Sequence, residues 1–272
     1  MGETYPAQTI LLAFGLTLVA GLSTGIGSAL AFFARRTSVR FLSVALGFSA
    51  GVMIYIALVE ILPNAQESLR QDLGKSGAWA AMASFFGGVL LIALIDKFVP
   101  GYENPHEPRL VEDMDDAAAA ARQQKLHRMG VMTAVAIALH NFPEGLATFA
   151  AALKDPRLGV AMAAAVAIHN IPEGIAVSVP VYYATGDRKK AFVYSFLSGL
   201  AEPLGALAAF GLLRLIPGLA MTGVMFAAVA GMMVFLSLDE LLPAAREYGE
   251  HHLSIYGLVG GMAVMAVSLA LL

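Results

Sequence analysis

The sequence predicts an all-α integral membrane protein with eight transmembrane helices in a 3+2+3 inverted-repeat arrangement, both termini lying outside. Hydrophobic residues make up 58% of the 272 residues, charged residues only 14%, and the mean hydropathy is +0.72. Soluble domains usually have about half apolar and about a quarter charged residues. The apolar residues also form runs of the roughly 20 residues needed to cross a bilayer. We therefore expect one membrane domain over residues 1–272 and no soluble domain.

Eight runs are long enough, and turn or charge signals separate them. The first run lacks a basic segment and a small-residue cleavage site before its end, which predicts a retained helix. The one long polar connection, at about 100–128, contains three prolines and an acidic run at 112–116, and we expect a mobile cytoplasmic loop with room for a short helix. The predicted helices cover about 7–33, 39–62, 77–99, 129–152, 158–184, 188–212, 219–244 and 254–272.

The positive charges predict the orientation of these helices. Twelve of the 17 lysines and arginines fall in the connections after helices 1, 3, 5 and 7 or in the helix ends beside them. Cytoplasmic loops carry such an excess, so both termini should face outward. The net charge of -3 and the lack of a basic tract argue against nucleic acid as a partner. Because the chain has no cysteine, disulfides and thiolate metal ligands are excluded.

An internal repeat relates helices 2 and 7. Residues 51–63 match residues 231–243 at six of 13 positions, including Glu60 with Glu240 and Pro63 with Pro243. The predicted topology runs these two helices in opposite directions. Inverted repeats are typical of transporters, whose substrate site lies near the membrane midplane. The predicted order is three helices, a central pair and three more.

The central pair, helices 4 and 5, carries a second repeat. The motif His-Asn-x-Pro-Glu-Gly occurs at residues 140–145 and again at 169–174. Because positions i and i+4 share a helix face, each histidine lies beside the glutamate of its own copy. Both histidines fall near the middle of their helices. The two copies therefore offer a set of candidate metal ligands: His140, Asn141, Glu144, His169, Asn170 and Glu173.

Glu202, about 14 residues into helix 6, is a further candidate ligand. A charge at the bilayer centre costs roughly 2.5–3.5 kcal/mol, and clustered carboxylates repel one another. No lysine or arginine lies in these helix centres, so metal ions and protons remain as counter-charges. Nitrogen and oxygen ligands without thiolate suit Zn²⁺, Fe²⁺, Mn²⁺, Co²⁺ and Cd²⁺. Two imidazoles argue against a Ca²⁺ or Mg²⁺ site.

Proline and glycine in each motif should shape the backbone around this site. Pro143 and Pro172 have no N–H, so each leaves a carbonyl one turn earlier unpaired and should kink its helix. Gly145 and Gly174 should allow neighbouring helices to approach closely.

Other polar residues mark a possible route through the membrane. Glu60 lies near the outer end of helix 2, and Asp239 and Glu240 lie near the inner end of helix 7. Acids near helix ends also commonly reach water without binding anything, so that interpretation stays open. Met53 in helix 2 could supply a thioether ligand or fill a gap in the core.

These motifs closely resemble those of the ZIP (Zrt-/Irt-like) family of metal transporters, most of all its bacterial zinc-uptake members. The doubled motif, the segment 198–203 around Glu202 and the segment 239–243 carry the resemblance. It implies an eight-helix 3+2+3 fold in the bacterial inner membrane that imports divalent transition metals, with one or two ions in the central site. It also implies Glu60 as an outer-gate acid and Asp239 with Glu240 as an exit site. The metal ligands implied are His140, Asn141, Glu144, Asn170, Glu173 and Glu202, together with His169 and Met53.

One departure from the family concerns the loop after helix 3. Many family members have a histidine-rich loop there, whereas this chain has only His106 and His127. Metal sensing by that loop is therefore not expected.

Two other function classes compete with transport. An intramembrane zinc hydrolase would need an open site with three protein ligands and a water, but the chain has no His-Glu-x-x-His helix and offers too many ligands. A proton-coupled carrier of an organic solute would need groups that recognise the solute. We expect a transporter, neither an enzyme nor a holder of a prosthetic group, and a homodimer stays an open alternative.

Overall fold

The structure, a computed structural model, describes residues 5–33, 39–98, 119–216, 218–247 and 251–271. Within these ranges the regular structure is helical, with no strand. The α-helices are α1 (Ala7–Phe33), α2 (Val39–Ile56), α3 (Leu62–Leu73), α4 (Gly77–Phe98), α5 (Ala119–Lys154), α6 (Pro156–Thr185), α7 (Arg188–Gly199), α8 (Ala201–Leu215), α9 (Leu219–Leu236), α10 (Leu242–Glu247) and α11 (His251–Ala270). Two π-helical segments, π1 (Ala57–Ile61) and π2 (Ser237–Leu241), join α2 to α3 and α9 to α10.

Six stretches of the described chain are long and apolar enough to cross a membrane. One of them, Arg40–Lys97, has 58 residues and contains a turn at Gly74–Ser76, where Gly74 has a φ of 58°. A helix rises about 1.5 Å per residue, so 58 residues would far exceed the roughly 30 Å of hydrocarbon. The turn therefore divides this stretch into two helical runs.

Several predicted boundaries were wrong. Helix 2 does not end at residue 62 but continues through α3. This extension was not predicted because α3 is mostly polar, so hydropathy does not identify it. Its buried residues are Ala65, Ser68 and Leu69. The predicted helix 6 is two helices, α7 and α8, that meet at Leu200. The predicted loop at 100–128 is helical from Ala119 onward. The acidic run at 112–116 and His106 lie outside the described residues.

Tight connections place α5, α6 and α7 beside one another. A single residue, Asp155, separates α5 from α6, and its carboxylate accepts a hydrogen bond of 2.8 Å from the Arg157 amide. This is an N-cap, with proline at the first helical position. At the other end of α6, Gly186 adopts a φ of 65° and its N–H donates to the Tyr182 carbonyl at 2.7 Å. Such a left-handed glycine is a common helix stop.

The helices pack in two groups. One contains α1, α5, α6, α7 and α8, and the other contains α2, α3, α4, α9, α10 and α11. Contacts of α2 with α6 and of α5 with α9 join the groups. The long helices of the central pair, α5 and α6, therefore face each other inside the first group and touch the second.

Glycines of the second group repeat the same contacts in both halves of the chain. Gly51 on α2 lies against the carbonyl of Leu258 in α11, and Gly231 on α9 lies against the carbonyl of Phe85 in α4. A Cβ atom at either glycine would overlap that carbonyl, so the helices can be this close only with glycine. The reciprocal contacts are those of Gly88 with Ala228 and of Gly261 with Phe48.

Candidate metal centre

The two copies of the repeated motif meet between α5 and α6. Glu144, His169 and Glu173 each offer a ligand atom, and these atoms all lie within 4.8 Å of one another. His169 Nε2 is 3.0 Å from Glu144 Oε1. All three side chains are at most 3% exposed. One imidazole nitrogen and two carboxylates at this spacing are close enough to share one divalent ion.

Asn141 extends this cluster. With its amide nitrogen turned toward Glu173, it donates to Glu173 Oε2 at 3.0 Å and to the Ile137 carbonyl at 3.2 Å. In the opposite orientation the nitrogen donates to the Ser198 carbonyl at 3.4 Å, and the amide oxygen then faces only acceptors. Two facing acceptor oxygens repel each other unless a cation lies between them. The hydrogen bonds therefore favour the first orientation, in which the amide nitrogen faces Glu173.

Glu202 and Asn170 form a second polar pair, both fully buried. The Asn170 amide nitrogen donates to Glu202 Oε1 and, at 2.9 Å, to the carbonyl of Ala20 in α1. Asn170 Oδ1 and Glu202 Oε2 accept no hydrogen bond from the part of the chain that the structure describes. Buried polar atoms normally have partners, so these two oxygens are free to bind a cation.

Glycines bring the helices of the site into backbone contact. Gly145 lies against the backbone of Glu202, where a Cβ atom would overlap its carbonyl. Gly174 makes the equivalent contact with the backbone of Thr24 in α1. These contacts confirm that the glycine of each motif permits close approach. Because of them, Glu202 on α8 lies directly beside the motif on α5.

His140 contacts an acid from the other helix group. Its Nδ1 is 3.2 Å from Glu240 Oε2, and both side chains are buried. Asp239, the preceding residue, is exposed. The sequence placed Glu240 in an exit site near the end of helix 7, whereas the structure brings it against the central motif. No local sequence pattern could have predicted this contact, because the two residues belong to helices that are far apart in the sequence.

Sequence reasoning also missed the two π segments that carry Glu60 and Glu240. The N–H of Leu62 donates to the Ala57 carbonyl, and that of Leu242 donates to the Ser237 carbonyl, one residue farther than in an α-helix. Such π turns often occur at functional sites. A proline, which has no N–H to continue the α-helical ladder, follows each segment. The Glu-x-x-Pro spacing shared by both repeats is the one signal that could have indicated them.

The remaining predicted residues lie apart from this cluster or make other contacts. Glu60 is half-buried, and its Oε1 accepts a hydrogen bond of 2.7 Å from the Asn64 amide nitrogen. Met53 is 1% exposed in the apolar core on α2. Its thioether as a metal ligand stays a prediction.

Comparison with known proteins identifies the family. The sequence pattern described as "ZIP Zinc transporter" matches residues 100–269. The "Zinc transporter ZupT" of Lysinibacillus sphaericus (strain C3-41) is 64% identical over 264 residues, covering 97% of this chain and 98% of the relative. The protein of the same description from Nitratidesulfovibrio vulgaris is 64% identical over 269 residues, covering 96% and 97%. That of Clostridium perfringens is 57% identical over 276 residues, covering 97% of each.

These similarities confirm the resemblance found in the sequence. They indicate a transporter and not an enzyme, since the matched family and relatives are described as transporters. Bacterial relatives and several apolar helices of membrane-spanning length are the features of a multi-pass bacterial membrane protein. The chain belongs to the ZIP zinc transporter family.

Proposed function

We propose that this protein imports divalent transition-metal ions, zinc foremost, across the bacterial inner membrane into the cytoplasm. The observation that carries the proposal is the buried cluster of Glu144, His169 and Glu173, whose ligand atoms lie within 4.8 Å of one another. These ionisable groups stand in the mainly apolar middle of long helices. A cation of charge two offsets the mutual repulsion of the carboxylates, as metal-site chemistry requires.

The proposed ligands fall into two neighbouring groups, which could each hold one ion. Zn²⁺ would share its site with Fe²⁺, Mn²⁺, Co²⁺ and Cd²⁺, because imidazole, amide and carboxylate ligands discriminate among these ions less than thiolates do. Met53 would add a thioether from α2. The proposed ligands are His140, Asn141, Glu144, His169, Asn170, Glu173 and Glu202, with Met53.

The proposed topology has eight spans in a 3+2+3 inverted repeat, with both termini outside. Two contacts support the alternating direction of the spans. The Ser43 hydroxyl at the start of α2 donates to the Ala245 carbonyl in α10 at 2.6 Å. The Asp72 carboxylate at the end of α3 accepts a bond of 3.0 Å from the Ala220 amide at the start of α9. The proposed topology puts the first pair on the cytoplasmic side and the second outside.

The proposed route passes from Glu60 through the central cluster to Glu240 and Asp239. Glu240 already touches His140, so it would receive an ion directly from the centre. Asp239 is exposed and would release it to water. His and Glu must be deprotonated to bind metal, so transport should be sensitive to pH.

The test is zinc uptake into proteoliposomes by the purified wild type and the Glu144→Gln variant. Glutamine keeps the size of the side chain but removes the charge beside His169, so we expect uptake to fall about tenfold or more, as loss of a metal-site group does. Glu67→Gln, at an exposed glutamate on α3, is the matched control and should lose far less uptake than Glu144→Gln, because Glu67 interacts with Lys154 and lies outside the central cluster. Undiminished uptake by Glu144→Gln would refute the central site. A panel of divalent ions in the same vesicles tests the proposed range of substrates.

A further inference from the structure

A hydrogen-bonded chain links the end of α5 to the carboxylate of Glu60. The ammonium group of Lys154 donates to Asn64 Oδ1 at 2.5 Å. The amide nitrogen of Asn64 donates to Glu60 Oε1 at 2.7 Å and to the Glu60 carbonyl at 2.9 Å. Lys154 is the last residue of the helix that carries His140 and Glu144. The chain therefore joins that helix to the outer acid of the proposed route.

Lys154 and Glu60 together set the orientation of the Asn64 amide. The two ends of an amide have almost the same shape, and its neighbours select the orientation. A lysine can only donate, so it takes the amide oxygen and leaves the nitrogen for Glu60. In this orientation Asn64 blocks one carboxylate oxygen with a donor. Turned over, the same amide would present its oxygen beside the carboxylate.

We propose that Glu60 and Asn64 form a capture site for the incoming metal ion, and that Lys154 is a positioning residue that holds Asn64 away from the ion. When an ion binds Glu60, the amide leaves Lys154, turns over and contributes its oxygen as a second ligand. The inference rests on the proposed transport function and adds a site ahead of the central cluster. Carboxylate and amide oxygens are hard ligands. Two such groups would bind a divalent ion weakly, which suits brief capture.

The internal repeat argues that the amide has a role beyond packing. Glu60 corresponds to Glu240, but the position of Asn64 corresponds to Ala244. The matched helix thus forms with alanine there, while Glu240 contacts His140. The two halves of the repeat thus differ: Glu60 contacts Asn64, whereas Glu240 contacts His140.

The charge of Lys154 adds to the control of Glu60. Partial burial lowers the pKa of Lys154, whereas the carboxylates of Glu60 and Glu67 act to raise it. An ammonium group close to Glu60 repels an arriving cation and so weakens its first binding step. Removing the group should strengthen capture of metal.

The test compares KM and maximal rate of zinc uptake into proteoliposomes for variants of Lys154. In Lys154→Met the amide is free to turn, and we expect the KM for zinc to fall about three- to tenfold, the size of one hydrogen bond converted to a binding constant. Lys154→Arg keeps a donor and should restore a wild-type KM. Lys75→Met removes an exposed lysine from the same proposed side and should leave KM unchanged.

Two further results decide the role of the amide. In an Asn64→Leu background, Lys154→Met should lower KM clearly less than in the wild type, because the second ligand is gone and only the loss of the charge remains. An unchanged or raised KM in Lys154→Met, an equal fall in Lys75→Met, or an undiminished effect in Asn64→Leu would each overturn the inference. If the wild type takes up no zinc, or Glu144→Gln takes it up normally, the proposed function fails instead.

Discussion

The imidazole of His140 lies beside a carboxylate from the other helix group. Glu240 Oε2 is 3.2 Å from its Nδ1, and we propose that Nε2 is the nitrogen that binds metal. A carboxylate on the far nitrogen of a metal-binding histidine fixes the ring and makes it a stronger ligand. Glu240 therefore has two roles in the proposed mechanism: it positions His140, and it is the next acid along the route.

We predict that Glu240→Gln weakens zinc binding by purified protein about 10- to 100-fold, as the loss of such an orienting partner typically does. Glutamine fits the same space but cannot hold the ring with a negative charge. Isothermal titration calorimetry would measure the change.

Asp239→Asn is the control for this prediction. It removes the same charge from the adjacent, exposed residue and should weaken zinc binding far less than Glu240→Gln does. If both variants bind zinc alike, Glu240 does not orient His140.

Among the helices, glycine contacts set how closely the elements pack. Gly88 on α4 is buried against the carbonyl of Ala228, whereas its neighbour Gly87 is exposed and has open space around it. The same contrast recurs on α11, where Gly261 is buried and Gly260 has open space. In each pair, the buried glycine therefore tests the helix packing, and its neighbour serves as the control.

We predict that Gly88→Ala and Gly261→Ala each destabilise the protein by roughly 1–3 kcal/mol, the usual cost of forcing extra atoms into a packed interface. Gly87→Ala and Gly260→Ala should be neutral or slightly stabilising, since alanine favours a helix by about 1 kcal/mol over glycine. Thermal unfolding in detergent would measure all four variants. Equal tolerance of the buried and the exposed substitution would contradict the close packing of these helices.

The sequence predicted the helical elements well where apolar length alone identifies them. α1, α4 and α11 begin and end within a few residues of their predicted bounds. The break at Leu200 was not predicted because a short kink leaves the hydropathy of the run almost unchanged. The extension through α3 was not predicted because this helix is polar and does not look like part of an apolar run. The π segments π1 and π2 were not predicted, because one extra residue in a helical turn does not alter the composition of the sequence.

The sequence singled out Glu144, His169 and Glu173, whose ligand atoms the structure brings within 4.8 Å of one another, but it did not predict the contacts between them. The motif spacing placed Glu144 beside His140 and Glu173 beside His169 on single helices. It could not show that Glu144 pairs instead with His169 across the helix interface, at 3.0 Å. Contacts between helices depend on their relative rotation, which a single sequence does not reveal.

For the whole molecule, the proposed topology has a direct test because the chain contains no cysteine. We predict that single cysteines introduced as Lys75→Cys and Arg157→Cys react with a membrane-impermeant maleimide added outside intact cells. Lys189→Cys should react only after the membrane is permeabilised. All three positions are exposed, so accessibility reports the side of the membrane.

The cysteine-free parent should not react under either condition. The reverse pattern would invert the proposed orientation, and a difference between Lys75→Cys and Arg157→Cys would refute the alternation of the spans.

The one-residue link at Asp155 has a consequence for biosynthesis. A helix can enter the bilayer alone with a histidine, an asparagine and a glutamate at its centre. Each of these side chains then raises the free energy of insertion into lipid. Because α5 and α6 are joined so tightly, they can leave the insertion machinery as a hairpin, with Glu144 already against His169. The polar groups that would later hold the cargo can then shield one another from lipid while the protein is being made.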